Sequence, residues 1–167
     1  MFNMFILVAI LLIAAAIYMS LVKHCSEYEI LVISNKNDKL KPLKIIPPKG
    51  SAFVNPLVNE YAYIQLQDIM KFTIHDEIFP ENDCDEAFEC SVGICSGEEY
   101  YDILAENFAG LDKKDIAEIA ENIIKKELTE ISKEIELSDY LEQKNSEQYF
   151  NRINEKLNKV GLELLEI

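Results

Sequence analysis

The sequence predicts an α+β domain preceded by an N-terminal transmembrane helix, and three observations favour this fold class. Residues 1–22 contain no charged side chain, as expected of a segment surrounded by lipid. Between residues 28 and 95, short runs rich in β-branched and aromatic residues alternate with turn signals. After Gly97, apolar residues recur with the helical period of 3.6, and strands followed by helices and a returning strand are typical of the α+β class.

The apolar segment 1–22 is predicted to be a transmembrane anchor. As a helix that rises 1.5 Å per residue it would extend roughly 33 Å, close to the ~30 Å hydrocarbon core of a bilayer. The side chains expected to contact lipid are Phe5, Leu7, Ile10, Leu12, Ile13, Ile17, Tyr18, Leu21 and Val22. The alternative is a signal peptide cleaved after Ala16, which would release a secreted or periplasmic binding domain. No Lys or Arg precedes the apolar run, however, whereas signal peptides begin with a cationic region.

The charges that flank this segment predict its orientation. Lysines follow it at positions 23, 36, 39 and 41, and no basic residue precedes it. Because positive charge is retained on the cytoplasmic side of membranes, we expect a single-pass membrane protein with residues 23–167 in the cytoplasm. The four cysteines are then expected to be reduced thiols. Cys25 lies just beyond the segment and is a candidate for lipidation, with an unmodified thiol as the alternative.

The first half of the domain is predicted to consist of strands joined by turns. Strands are expected over residues 28–33, 40–46, 62–67, 69–74 and 87–95, with turns over 34–38 and 81–85. The strand over 40–46 contains Lys41 and Lys44, which suit the edge of a sheet. Alternate residues of the last strand share one face and set its register; they are Phe88, Cys90, Val92 and Ile94.

The second half begins with two predicted helices. A short helix over 98–108 is stopped by Gly110, and Asp112 caps a longer helix, with Asp115 three residues further on. The apolar stripe of the longer helix is expected to contain Ile116, Ile119, Ala120, Ile123, Leu128 and Ile131.

The remaining residues are predicted to form two more helices and a strand. Ser138 begins a short helix that carries Tyr140 and Leu141, and Ser146 caps the last helix. The apolar stripe of that last helix is expected to contain Tyr149, Phe150, Ile153, Leu157 and Val160. Gly161 ends it, and residues 162–167 alternate as a returning strand.

Composition and motifs limit the classes of function. The 30 acidic and 16 basic residues give a net charge of −14, which argues against a nucleic-acid partner, since such proteins need a basic face. Neither a phosphate-binding glycine loop nor a nucleophile elbow is present. We therefore predict a protein that is not an enzyme and has no catalytic, cofactor-binding or metal-binding residues.

Histidine and cysteine residues support one alternative. His75, Cys84, Cys90 and Cys95 could belong to a membrane-tethered enzyme or a metal-binding domain. The sequence lacks a C-x-x-C pair, however, and Cys90 and Cys95 are separated by an odd number of residues, which places them on opposite faces of one strand. We expect these thiols to be small buried core residues.

Two stretches of the sequence resemble the flotillins. Residues 49–58, Lys-Gly-Ser-Ala-Phe-Val-Asn-Pro-Leu-Val, are similar to the glycine, aliphatic–aromatic–valine, x, proline stretch of that family. In the helical half, the resembling residues are Glu106-Asn-Phe-Ala-Gly110, Ile116-x-x-Ile-Ala120, Glu127-Leu128, Leu137-Ser-x-Tyr140 and Leu157-Asn-Lys-Val-Gly-Leu-Glu-Leu-Leu165. The chain is thereby identified as a flotillin-like member of the stomatin/prohibitin/flotillin/HflKC (SPFH, band 7) superfamily.

The resemblance implies both a fold and a function. Residues 23–167 would form an SPFH/band 7-like domain, and the protein would be a membrane-anchored scaffold that self-associates and organises membrane microdomains or membrane-protein complexes. Its implied partners are membrane lipids, itself or related SPFH proteins, and a small NfeD-type membrane protein. Members of the family continue into a long coiled coil that supports large assemblies. This sequence ends at Ile167 without one, so we expect weaker assembly here.

Overall fold

The computed structural model describes residues 2–75, 87–134 and 147–167, without the side chains of residues 2, 3, 5 and 38–40. Its class is α+β with antiparallel sheets, as the order of sequence patterns predicts. The chain divides into two compact units, Met1–Ile64 and Gln65–Ile167.

The first unit consists of one helix followed by strands. Its elements are α1 (Phe2–Leu21), β1 (Val22–His24), β2 (Glu29–Asn35), β3 (Asp38–Ile46), β4 (Ser51–Phe53) and β5 (Asn59–Gln65). Strands β1 and β4 pair antiparallel, and a second sheet has the order β3–β2–β5. The buried core between these strands consists of Cys25, Leu31, Ile33, Ile46 and Val54, with Ala52 packed against it.

The predicted edge strand is confirmed by β3, which lies at one side of the β3–β2–β5 sheet. It contains Pro42, which lies opposite Ser34 where the register of the β2–β3 pair shifts. Proline has no N–H to donate to a sheet ladder, so an irregular edge strand is where a sheet tolerates it.

The predicted transmembrane anchor is the main correction that the structure makes. Among the residues that the structure describes, no helix is both long and apolar enough to cross a membrane. This finding overturns the anchor predicted over 1–22 and, with it, the predicted single-pass location in a membrane. The boundary also differs, because α1 ends at Leu21 and Val22 begins β1.

The second unit consists of a sheet and the helices packed on it. Its elements are β6 (Ile69–His75), β7 (Ala87–Ile94), a 3₁₀ turn (Glu98–Tyr100), α2 (Tyr101–Phe108), α3 (Lys113–Ile131), α4 (Glu147–Asn158) and β8 (Leu162–Glu166). The sheet has the antiparallel order β6–β7–β8. Helix α3 packs on β6 and on α4, and α4 packs on β8.

The sheet of the second unit confirms three predictions from the sequence. Strand β6 alternates, with Met70 and Ile74 buried and their neighbours exposed or half-buried. The four residues predicted to share one face of β7 are all buried; they are Phe88, Cys90, Val92 and Ile94. The returning strand is also confirmed, since Leu162 of β8 lies opposite Ile94.

Helix α3 begins as predicted but is rotated from its predicted stripe. The Asp112 carboxylate accepts hydrogen bonds from the backbone N–H groups of Lys114 and Asp115, and the Asp115 side chain accepts from the Asp112 N–H, which completes a capping box. Ile119 and Ile123 are only half-buried, whereas Ile124 and Glu127 are buried. The rotation occurs because the buried face extends toward α4, where Glu127 is paired with basic side chains.

Several predictions fall outside the described residues. These are the turn over 81–85, Cys84, the short helix that begins at Ser138, and the cap at Ser146.

Candidate functional site

Helix α1 presents an apolar surface. Seven side chains of the predicted lipid-contacting set are described in the structure within the helix, and six of them are more than half exposed; these six are Leu7, Ile10, Leu12, Ile13, Ile17 and Tyr18. Leu21 and Val22 are half-buried where the chain enters β1. A contiguous exposed apolar surface marks a site of protein or membrane interaction.

A groove of about 440 Å³ lies at the C-terminal end of α1, within the first unit. We call it the α1 groove. Its lining includes Leu21, Lys23, Lys36, Val54, Asn59 and Tyr61. Residues from α1 and β1, from the β2–β3 turn, and from the β4–β5 loop and β5 therefore meet in one place.

The β4–β5 loop that forms one wall of the α1 groove is held by local hydrogen bonds. The Asn55 side chain accepts from the Leu57 N–H at 3.0 Å, and the Asn59 N–H donates to the Asn55 carbonyl at 2.8 Å. Lys36 Nζ donates to the Pro56 carbonyl at 2.6 Å, and the Lys36 N–H donates to the Val58 carbonyl at 3.1 Å. The loop is thereby tied to the turn that carries Lys36.

The second lysine of the α1 groove is positioned by an aromatic ring. Lys23 Nζ lies 4.9 Å from the centroid of the Tyr61 ring, within the range of a cation–π interaction. The Tyr61 ring in turn packs edge-on against Tyr63, with centroids 5.8 Å apart. Two ammonium groups with fixed positions therefore line one groove at the base of the apolar helix.

Cys25, the candidate for lipidation, is buried in the core of the first unit. Its side chain points toward the Ile46 carbonyl, with Sγ 3.6 Å from that oxygen. Burial raises the pKa of the Cys25 thiol, and the nearby Glu29 carboxylate adds to the rise. A buried, protonated thiol is a poor nucleophile, so the structure favours the alternative of an unmodified thiol. Lipidation of Cys25 stays a prediction.

The histidine and cysteine residues of the alternative interpretation are dispersed over the described part of the second unit. His75 is exposed at the end of β6, while Cys90 and Cys95 are buried. Burial raises the pKa of Cys90 to about 12, and that of Cys95 to about 11, with nearby carboxylates adding to both shifts. The described residues contain no group of three His, Cys, Asp or Glu side chains arranged to hold a metal ion. Cys84 lies outside this part of the chain.

Buried charge in the second unit links two helices. Glu127 of α3 is 6% exposed, and one of its oxygens lies 3.3 Å from Arg152 Nε of α4. The other oxygen lies 3.6 Å from Lys156 Nζ, and Arg152 also donates to both oxygens of Glu134 at 2.9 Å. Each charged side chain named in this cluster forms an ion pair with a side chain of opposite charge. We interpret the cluster as a structural link between α3 and α4.

A scan against models of known protein families finds no match, and a search of curated protein sequences finds no significant similarity. The geometry of the first unit is therefore the basis on which its function is inferred.

Reasoning from the sequence singled out α1 but missed the α1 groove. From the sequence, Lys23 and Lys36 were predicted only to orient the N-terminal segment in a membrane. No role was predicted for Asn59 or Tyr61. These residues come from separate segments, and no spacing motif relates them. The one signal available was the position of both lysines after an uncharged segment and before an aromatic strand.

Proposed function

We propose that the chain is a flotillin-like scaffold, a binding protein without catalytic activity that self-associates and organises membrane-protein complexes or membrane microdomains. The observation that supports this proposal best is the exposed apolar surface of α1. Leaving such a surface in water is unfavourable by roughly 25 cal/mol per Å², so it favours burial against lipid or another protein. The resemblance of residues 49–58 to the flotillin stretch, which includes β4, gives the proposal its family.

The proposed partners follow from the same surface. Membrane lipids and further copies of this chain, or related SPFH proteins, can each cover apolar side chains, and a small NfeD-type membrane protein is a third candidate. None of these partners requires a reaction.

Vesicle flotation and chemical cross-linking of the full chain test the proposal together. We expect the chain to float with neutral phosphatidylcholine vesicles and to form cross-linked oligomers on them. The double variant Leu12→Gln/Ile17→Gln removes two side chains that are 66% and 56% exposed, so it should reduce flotation and cross-linking without unfolding the chain.

Leu43→Gln is the matched control, because Leu43 is 60% exposed on β3, away from the helix. It should float and cross-link like the natural chain. If the natural chain neither floats nor forms oligomers, or if the control behaves like the double variant, the scaffold proposal is wrong.

A further inference from the structure

The α1 groove is positively charged, although the protein as a whole is acidic. The chain carries a net charge of −14, yet residues 1–64 contain six lysines and only four acidic residues. Two of the six, Lys23 and Lys36, line this one groove. Glu60 also lines it, so the groove has two positively charged side chains and one negatively charged side chain.

Both ammonium groups of the α1 groove keep donors for a ligand. An ammonium has three N–H donors. Lys36 directs one of them to the Pro56 carbonyl, and Lys23 lies over the Tyr61 ring face. The side-chain amide of Asn59, in the same lining, can supply a further donor. Such a set of donors suits a tetrahedral anion with several acceptor oxygens, as a phosphate group has.

The C-terminal end of a helix carries a negative partial charge, which would repel a bound anion. In α1 this effect is reduced, because the terminal carbonyl of Leu21 accepts the Val54 N–H at 2.8 Å. The Ile17 carbonyl accepts the Ser20 hydroxyl at 2.7 Å. These two carbonyls near the C-terminal end of α1 are therefore occupied by hydrogen bonds.

The position of the groove indicates which anion it would bind. It lies where the exposed apolar surface of α1 stops and lysines begin. Its β4–β5 wall carries two more exposed apolar side chains, Leu57 at 83% and Val58 at 52%. A ligand with an anionic head and an apolar tail can satisfy both surfaces at once, whereas free phosphate can satisfy only the lysines.

We propose that the α1 groove binds the phosphate-bearing head group of an anionic lipid whose acyl chains lie along α1. Lys23 and Lys36 contact the phosphate, and Asn59 donates to its oxygens. The inference rests on the proposed function insofar as it needs α1 to contact lipid. It adds a preference for anionic head groups and the residues that confer it.

Flotation of the full chain on two kinds of vesicle tests the proposal, one of phosphatidylcholine alone and one containing phosphatidylserine. We expect tighter binding to the anionic vesicles. Lys23→Gln/Lys36→Gln should lose about 30-fold in affinity for them, since each basic side chain near an anionic surface contributes roughly five- to sixfold in affinity. Binding of this variant to the neutral vesicles should equal that of the natural chain.

The matched control is Lys41→Gln/Lys44→Gln, which removes the same charge from exposed positions on β3 of the same unit. We expect it to lose no more than about 5-fold, because its lysines act only through the general field of the protein. Equal losses in the two double variants would mean that charge alone attracts the lipid, and the groove would not be a site.

Two further outcomes separate this proposal from others. If the natural chain binds neutral and anionic vesicles equally, the groove proposal fails while lipid contact by α1 stands. If it binds neither, the groove proposal fails together with lipid contact by α1, and the scaffold proposal then depends on the cross-linked oligomers alone. Inorganic phosphate is added as a competitor at the concentration of the lipid head groups. Displacement by phosphate would overturn the lipid as ligand in favour of a soluble anion, and we expect none.

Discussion

Gly110 and Gly161 both hold the backbone in the left-handed region, with φ of 85° and 87°, but their surroundings differ. A Cβ at position 161 would lie 2.6 Å from Cδ2 of the buried Leu104, whereas a Cβ at 110 would meet no atom within 4 Å. We expect Gly110→Ala to cost about 1–2 kcal/mol of unfolding free energy, which is the cost of the left-handed conformation alone. Gly161→Ala should cost about 1–3 kcal/mol more, because it also crowds the core.

Urea denaturation of both variants measures this difference, and Gly110→Ala serves as the control for backbone strain. Equal losses of unfolding free energy in the two variants would mean that the side chains around Leu104 can move to accept a Cβ at position 161. That result would contradict the close packing of this region.

Because the Cys90 thiol is buried, we expect the free energy of unfolding to depend on pH. The pKa of this thiol is about 12 in the folded protein against an ordinary value of 9.0, chiefly because of burial. Between these two values the folded state retains the proton and the unfolded state releases it, so stability falls as pH rises above about 9. We expect the unfolding free energy of Cys90→Ala to decline less steeply between pH 9 and pH 11 than that of the natural chain. Parallel declines would contradict the buried, protonated thiol.

Some residue-scale features could be read from the sequence and others could not. The glycines at 110 and 161 follow helical patterns, where a left-handed stop is expected. In the turn before β4, however, Lys49 and not Gly50 takes the positive φ, at 63°. Gly50 is needed for space instead, since a Cβ there would lie 2.6 Å from the Ile46 side chain and 2.8 Å from the Pro47 carbonyl. That contact arises from the folded turn, which no local pattern specifies.

At the scale of elements, the pairing of α3 with α4 depends on a buried carboxylate. Among the described residues, replacing Glu127 by alanine would leave Arg152 with Glu134 as its acidic partner and would remove the carboxylate that Lys156 contacts. Because Arg152 is about a third exposed, water can compensate part of the loss. We therefore expect Glu127→Ala to lower the unfolding free energy by about 1–3 kcal/mol, below the 3–5 kcal/mol typical of a fully buried pair.

Glu130→Ala is the matched control for this prediction. It also removes one carboxylate from α3, but the Glu130 side chain is 47% exposed, and in the described part of the chain its ion pair is with Lys133, three residues along the same helix. Exposed pairs contribute little, so urea denaturation should find Glu130→Ala nearly as stable as the natural chain. A loss as large as that of Glu127→Ala would indicate that the net charge of the helix matters more than the buried link.

The secondary structure was predictable where one period dominates, and less so where charges are buried. The alternation of apolar residues predicted β6 and β7, and the capping box predicted the start of α3. The stripe of α3 predicted from apolar spacing did not include Ile124 and Glu127, both of which are buried. Burial of that carboxylate depends on Arg152, which lies on another helix. The α1 groove escaped prediction for the same reason, since its lining comes from three segments that only the fold brings together.

At the scale of the whole molecule, charge is divided unequally between the two units. Residues 1–64 have a net charge of +2, and residues 65–167 contain 26 acidic and 10 basic residues, for a net charge of −16. This division suits a protein whose first unit contacts an anionic surface. It also means that copies packed side by side bring like charges together, at a cost that salt screens over about 8–10 Å at physiological ionic strength.

We therefore expect self-association of the full chain, in a fixed concentration of detergent, to strengthen as sodium chloride is raised. Sedimentation velocity at low and high salt measures it. Four exposed glutamates of the second unit can be changed to glutamine together; they are Glu106, Glu118, Glu155 and Glu163. This variant lowers the net charge from −14 to −10 and should associate at lower salt than the natural chain. The same four positions changed to aspartate keep the charge and should follow the natural chain. Association that is equally strong at every salt concentration, or a glutamine variant that behaves like the aspartate variant, would mean that repulsion between the acidic units does not limit assembly.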